Sequence, residues 1–144
     1  MANPYTKGEH VQASALTITG GAASVAIIDH AHRIKLLRWG FTVTTAIVIG
    51  TTDAVLTLFK VAFDRSTQTS LDVLTIDTAR AVGHVEYTDL HGVAASNNPI
   101  QQGEAVEIDH TTASSGGSAA GAVKVWYTYE ILGPIWNTTY HHER

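Results

Sequence analysis

Histidines are the most conspicuous side chains with possible chemistry in this sequence, eight among 144 residues. The tightest group is Asp29-His30-Ala31-His32, in which two imidazoles at positions i and i+2 of a strand would point to the same face. Together with a carboxylate and a distant third histidine, such a pair could hold a metal in a cupin-like site. The candidates for those further ligands are His84, Glu86, His91 and His110. A turn at the start of a strand explains His30 and His32 better, so we predict no metal site.

Serine, threonine and carboxylate side chains are numerous but show no catalytic spacing. The chain lacks the Gly-x-Ser-x-Gly elbow of serine hydrolases, and no serine can be placed beside a histidine and an aspartate. Glu104 and Glu107 differ in strand parity, so they cannot share one face of a regular strand. Gly116-Gly117-Ser118 lacks the following Lys-Ser/Thr pair and the helix that a phosphate cradle requires. We therefore predict a protein that is not an enzyme and has no cofactor.

Aromatic residues offer a different kind of site, one that binds. Trp126 lies on the more polar parity of its strand and is predicted to anchor an interface, a role in which tryptophan is enriched. The tail at 133–144 carries Ile135, Trp136 and Tyr140 without a regular period, which is typical of a segment that docks on its own domain or on a neighbour. Stacking of sugars on Trp126 or Trp136 is the alternative use of these side chains.

Composition excludes several kinds of partner. The absence of cysteine excludes disulfides and thiolate metal sites. With a net charge of -4 and nine Lys and Arg, the chain lacks the dense basic patch that nucleic-acid binding requires. No apolar run approaches the roughly 18 residues of a membrane span, and residues 1–10 show no signal-peptide core. Only 15% of residues are charged, against about 25% in ordinary domains, which indicates that another protein covers part of the surface.

Short alternating segments separated by turn residues run along the chain and predict an all-β protein. Eight or nine strands at a spacing of roughly 8–12 residues are typical of an antiparallel β-sandwich, and we predict a jelly roll. The predicted sandwich covers 13–132, between an N-terminal arm at 1–12 and a C-terminal tail at 133–144. A helical turn is predicted at 77–81, a strand with a solvated face at 105–109, and a hairpin loop at 111–121.

Two strands depart from simple alternation. Between 34 and 44 the apolar parity switches at Leu36-Leu37, which predicts a β-bulge or a bend. Between 54 and 63 both faces are apolar, which predicts that a loop, an arm or a neighbouring subunit covers the second face. We assign Leu56 and Leu58 to that interface.

Four stretches of strand and turn carry a resemblance to a known family. They are LTITGGAASV at 16–25, IKLLRWGF at 34–41, PIQQGE at 99–104 and VWYTYEIL at 125–132. In these stretches the chain resembles the small β-sandwich decoration, or cement, proteins that coat the heads of tailed bacteriophages. Proteins of this kind commonly sit on the outer capsid surface as trimers and clamp neighbouring capsid subunits with the help of terminal arms.

The resemblance implies a role and a location. It implies a structural protein of the virion, made in the host bacterial cytoplasm, whose partners are the major capsid protein and further copies of itself as a homotrimer. Two alternatives stay open. One is a virion fibre or receptor-binding sandwich that binds glycans, and the other is a cupin-like metalloprotein built on His30 and His32.

Overall fold

A computed structural model of the chain describes residues 7–11, 16–19, 23–29 and 32–132, which form two antiparallel β-sheets packed face to face. The nine strands of this part are β1 (Lys7–Val11), β2 (Leu16–Thr17), β3 (Ala23–Asp29), β4 (Ile34–Val48), β5 (Ala54–Val61), β6 (Gln68–Ile76), β7 (Val85–Asp89), β8 (Ala105–Thr112) and β9 (Ala120–Ile131). Sheet A has the order β1-β9-β4-β7, and β2 also pairs with β9; sheet B has the order β3-β8-β5-β6. The fold is an all-β sandwich, as the alternating pattern predicts.

The core lies between the sheets because alternate residues of each strand turn inward. Along β9, Val123, Val125 and Tyr127 are buried, while Lys124 and Trp126 between them lie on the outer face. A direct polar link also joins the two layers. The indole Nε1 of the fully buried Trp39 in β4 donates a hydrogen bond of 2.8 Å to Asp72 Oδ2 in β6.

Leu56 and Leu58 belong to this core, which corrects their assignment to an interface. Both are fully buried, and their parity on β5 turns inward with that of Ala54. Neither side chain is available on the surface of the subunit. The opposite parity, which carries Val55 and Phe59, points away from sheet A.

The predicted switch of parity in the long strand is confirmed as a β-bulge. The register between β4 and β9 shifts between Leu36 and Arg38. Beside the bulge, the side chain of Asn98 takes the place of a neighbouring strand. Its Oδ1 accepts a hydrogen bond of 2.8 Å from Leu36 N, and its Nδ2 donates one of 2.9 Å to Leu36 O. One amide side chain thereby satisfies both backbone groups of a buried residue.

Replacement of Asn98 by alanine is expected to lower the free energy of unfolding by about 2–3 kcal/mol, because two buried backbone groups lose their partner. Urea denaturation monitored by tryptophan fluorescence measures this loss. Asn97→Ala is the matched control, because only a backbone bond from Asn97 N to Ala94 O is made at that position. Equal losses in the two variants would show that Asn98 has no special role.

Three local predictions are wrong. The segment 77–81 is not a helical turn, because Arg80 exchanges two backbone hydrogen bonds with Ile47. The loop at 111–121 is not a hairpin, because it leads from β8 in sheet B to β9 in sheet A. The outer face of β8 is not solvated at Glu107, which is only 7% exposed. In the part of the chain that the structure describes, no helix is long and apolar enough to cross a membrane.

Candidate protein-binding surface

Two aromatic side chains meet on the outer face of sheet A. Tyr87 in β7 and Trp126 in β9 flank β4, and both are in register with Gly40. Their ring centroids lie 6.3 Å apart at an interplanar angle of 46°. A Cβ at Gly40 would lie 2.1 Å from the carbonyl oxygen of Glu86 and 2.7 Å from Tyr87 Cα. The glycine therefore permits the close approach of β7 that places Tyr87 beside Trp126.

An arginine completes this group of side chains. The guanidinium carbon of Arg38 lies 4.4 Å from the centroid of the Tyr87 ring, within the range of a cation–π contact. The same guanidinium pairs with Asp89, with Nη2 at 3.0 Å and Nε at 3.1 Å from Oδ1. We call Arg38, Tyr87, Asp89 and Trp126 the aromatic patch. Its charges are paired with each other, so this surface has little net charge.

An open groove of about 640 Å³ lies beside the patch, between residues 79–81 and β7. Arg80 is held there by Glu86, with Arg80 Nε at 2.9 Å from Glu86 Oε2, and the hydrogen bond to Glu86 raises the pKa of Arg80. His84 Nε2 lies 3.3 Å from the same Oε2. Apolar side chains stand exposed around these ionic groups, Val82 at 64%, Val85 at 47% and Tyr87 at 50%. The groove combines an apolar rim with a fixed ion pair.

The backbone of β7 is open on the side away from β4. Among the described residues β7 pairs with β4 alone, so it is an edge strand of sheet A. The backbone groups of successive β7 residues point alternately toward β4 and away from it. The hydrogen bond from Val43 N to His84 O shows that Glu86 and Thr88 are the residues hydrogen-bonded to β4. The backbone groups of Val85, Tyr87 and Asp89 then point outward. Such an edge is a template for pairing with another chain.

The structure places the predicted site residues in different regions. Trp126 lies partly buried on the outer face of sheet A, on the side that its parity predicts, and its role in an interface stays a prediction. Ile135, Trp136 and Tyr140 lie outside the described residues, as does His30. His110 is in the core of the sandwich, whereas His84 and Glu86 line the groove on sheet A. No group of three or more possible metal ligands occurs within the described residues.

Sequence reasoning missed most of the patch. Nothing local distinguishes Tyr87 from a core residue. The available signal was Gly40, a glycine inside a strand of bulky residues, because such a glycine often marks a close approach of another backbone. Its partners lie 47 and 86 positions further along the chain, so the signal identifies a crowded point and not the residues that meet there.

A second group of ionisable side chains lies on the outer face of sheet B. Burial raises the pKa of Glu107 to about 7, and hydrogen bonding to Asp109 and its charge act in the same direction. Gln68 Nε2 donates a hydrogen bond of 2.6 Å to Glu107 Oε1, which opposes part of the shift. The raised pKa favours the protonated form of Glu107. This pair is a feature of the fold and has no metal-binding geometry.

Glu107→Gln is expected to stabilise the protein at alkaline pH. The pKa of Glu107 is higher in the folded than in the unfolded chain, so its favourable contribution is complete below about 4.5 and is lost as the pH rises through about 7. Glutamine imitates the protonated form, so the gain at pH 8.5 is expected to be up to about 3 kcal/mol and close to zero at pH 4.5. Thermal unfolding across this range measures the difference. An equal gain in stability at pH 8.5 and pH 4.5 would contradict a raised pKa of Glu107 in the folded protein.

Two solved structures are distant neighbours of this fold. No protein-family model matches the sequence, and no curated protein matches it. The chain is similar to a protein of the Bacillus endospore appendages, a family of disulfide-linked pili, at 14% identity and a TM-score of 0.38 over 88% of each chain. It is also similar to a protein of infectious bursal disease virus, strain Gx, at 16% identity and a TM-score of 0.38, over 90% of this chain and 30% of that chain. At these TM-scores neither neighbour bears on what this chain does.

Proposed function

We propose that this protein is a decoration, or cement, protein that binds the outer capsid surface of a bacteriophage virion and clamps neighbouring capsid subunits. The observation that carries the proposal is the exposed apolar and aromatic surface along the open edge of β7. Aromatic residues and arginine are enriched at the centres of protein interfaces, and Tyr87, Trp126 and Arg38 meet there. The low charge of the whole chain agrees with a surface that is largely covered in an assembly.

The order of the strands supports the jelly-roll form of the sandwich. Four antiparallel strands in the order β2-β9-β4-β7 face four in the order β3-β8-β5-β6. Successive strands alternate between the sheets from β2 to β5 and again from β6 to β9. Double-sheet jelly rolls occur in viral capsid proteins, lectins and cupins, so this architecture is compatible with the proposed role and does not select it.

A homotrimer is the assembly that we propose for the free protein. The edge strands β1 and β7 run in opposite directions, because three antiparallel pairings separate them. Sheet A therefore presents two different edges, and a contact of one with the other is heterologous. Heterologous contacts form closed rings when the rotation between copies closes, and otherwise open filaments; a trimer is one such ring. In this arrangement the aromatic patch of one copy meets the β1 edge of the next.

Immuno-electron microscopy of intact phage particles tests the proposed function. Antibodies raised against the full-length protein should label the outer surface of the heads, at many sites on each particle. Label confined to the tail fibres would favour the receptor-binding alternative. Particles that contain the protein but carry no label on the outer surface of the head would contradict the cement role.

Glycan binding is a second candidate, favoured by the half-exposed ring of Tyr87 beside Trp126 on the outer face of sheet A. Aromatic rings of this kind offer a stacking surface for sugars. Binding to a glycan array that is lost on Trp126→Ala and kept on Val73→Ala, an exposed position of sheet B, would support this function. Absence of binding by the wild-type protein to every glycan tested would exclude it for that set.

A further inference from the structure

We infer that His110 is an acid sensor built into the core, whose protonation destabilises the sandwich at mildly acidic pH. His110 lies on β8, is fully buried, and is in register with Leu56 of β5 and Ala23 of β3. Neither Nδ1 nor Nε2 has a hydrogen-bond partner. An unpaired polar side chain in this position is uncommon, since most buried polar groups are hydrogen-bonded.

The chemistry of the imidazole explains the response to acid. A neutral ring leaves one N–H and one lone pair unsatisfied, whereas an imidazolium would bury a full charge with two unpaired donors. Burial lowers the pKa of His110, and the nearby backbone of Thr112 opposes only part of that effect. The folded protein therefore keeps His110 neutral to a lower pH than an exposed histidine.

No described group around His110 can compensate a positive charge. On its own strand, Glu107 and Asp109 are in register with Phe59 and Thr57, on the outer face of sheet B. The ionisable residue of β3 is Asp29, at the end opposite Ala23, and on β5 Lys60 is bound to Glu104 at the far end of the strand. On β6, Asp72 accepts the hydrogen bond of Trp39.

The inner face of sheet A adds no compensating charge. Its fully buried residues in β4 and β9 are Ile34, Leu36, Trp39, Phe41, Val43, Ile47, Val123, Val125 and Tyr127. The titratable positions of this parity are Tyr127, whose pKa burial raises, Tyr129, His10, which is in register with Tyr127, and Glu86, which is in register with Phe41 and bound to Arg80. An imidazolium at position 110 would therefore face a layer made mostly of apolar side chains.

The sign of the effect follows from the lowered pKa. The unfolded chain binds the proton of this histidine near pH 6.5, before the folded chain does. The contribution of His110 to stability is complete above that pH and is lost as the pH falls toward the folded-state pKa. Over that interval the unfolding equilibrium constant increases by up to about tenfold for each pH unit. The inference concerns the subunit itself and does not depend on the proposed function.

The test compares urea denaturation of full-length wild-type protein and His110→Phe from pH 8 to pH 5. On acidification the unfolding equilibrium constant of the wild type should increase more than that of His110→Phe, by up to about tenfold per pH unit. His110→Leu serves as the second variant if phenylalanine does not fit the site. His91→Gln, at an exposed position, is the matched control and should follow the wild type. Glu107→Gln alters the pH dependence of stability between about pH 4.5 and 7, in the sense opposite to His110, so the test rests on the difference between wild type and the position-110 variants, both of which retain Glu107.

Two results would overturn the inference. One is a parallel pH dependence of the wild type and the position-110 variants. The other comes from NMR of the native wild-type protein, which needs no variant. The imidazole protons of His110 should titrate below pH 6.5 while the protein remains folded, and a native-state titration at pH 6.5 or above would show that the ring is accessible and that the core contains no sensor.

Discussion

Replacement of Gly40 by valine is expected to separate β7 from β4 and to lower the free energy of unfolding by about 3 kcal/mol, the upper part of the range for overpacking. The reason is the space at that position, since a Cβ would lie 2.1 Å from the carbonyl oxygen of Glu86. The obstructing atoms belong to the backbone of β7, so rotation of a side chain cannot relieve the clash. Urea denaturation measures the loss of stability.

Gly92→Val is the matched control for this substitution. A Cβ at Gly92 would meet nothing within 4 Å, so the same change of side chain should alter stability by less than about 0.5 kcal/mol. A Gly40→Val protein as stable as the wild type would mean that β7 is not held against β4 as the structure shows. The aromatic patch would then lack its support.

The double variant Val85→Lys/Tyr87→Thr is expected to weaken self-association at least a hundredfold, which corresponds to about 2.7 kcal/mol. Tyr87 supplies the exposed ring of the patch, and a lysine at position 85 places a charge on the free edge of β7, which opposes pairing with another chain. Both positions are about half exposed, so the fold of the subunit should persist. Analytical ultracentrifugation over a concentration series measures the dissociation constant.

Val73→Lys provides the comparison for the assembly experiment. Val73 is 49% exposed on β6, the edge strand of sheet B, and Val85 is 47% exposed on the edge of sheet A. The two substitutions therefore add the same charge at the same exposure on opposite sheets. If Val73→Lys dissociated the assembly and Val85→Lys/Tyr87→Thr had no effect, the contact would lie on sheet B. That result would refute the role of the patch.

The alternation of polar and apolar residues was sufficient to predict the sandwich and, for several strands, which side chains turn inward. Val123, Val125 and Tyr127 are separated by one residue each, and all three turn inward as a period of two requires. The switch at Leu36-Leu37 was also readable, because an extra residue is the simplest way to change parity within one strand. These features depend on neighbouring residues alone, which is why the sequence contains them.

Features that depend on distant residues were not predictable. Both parities of β5 are apolar, so the sequence could not show that the parity of Leu56 and Leu58 turns inward. Glu107 alternates like a solvated residue, yet its burial depends on Gln68 and Asp109 beside it and on the packing of the whole face. For the patch, the pairing of β4 with both β7 and β9 brings Tyr87 and Trp126 together across Gly40.

His110 illustrates the boundary between the two cases. It shares its parity with Val106 and Ile108, so alternation alone would place it in the core. The absence of any partner for its ring depends on which side chains the facing sheet provides, and sequence patterns do not supply that information. The sequence therefore gives the position of the histidine, and the structure gives its consequence.

The native mass of the purified full-length protein, measured by light scattering from micromolar to nanomolar concentration, tests most directly whether this chain assembles. A stable particle with three times the 15.4 kDa mass of the chain is the predicted result, and Val85→Lys/Tyr87→Thr should reduce it to the monomer. A wild-type protein that is monomeric at every concentration would contradict the proposed trimer and the role of the aromatic patch in forming it.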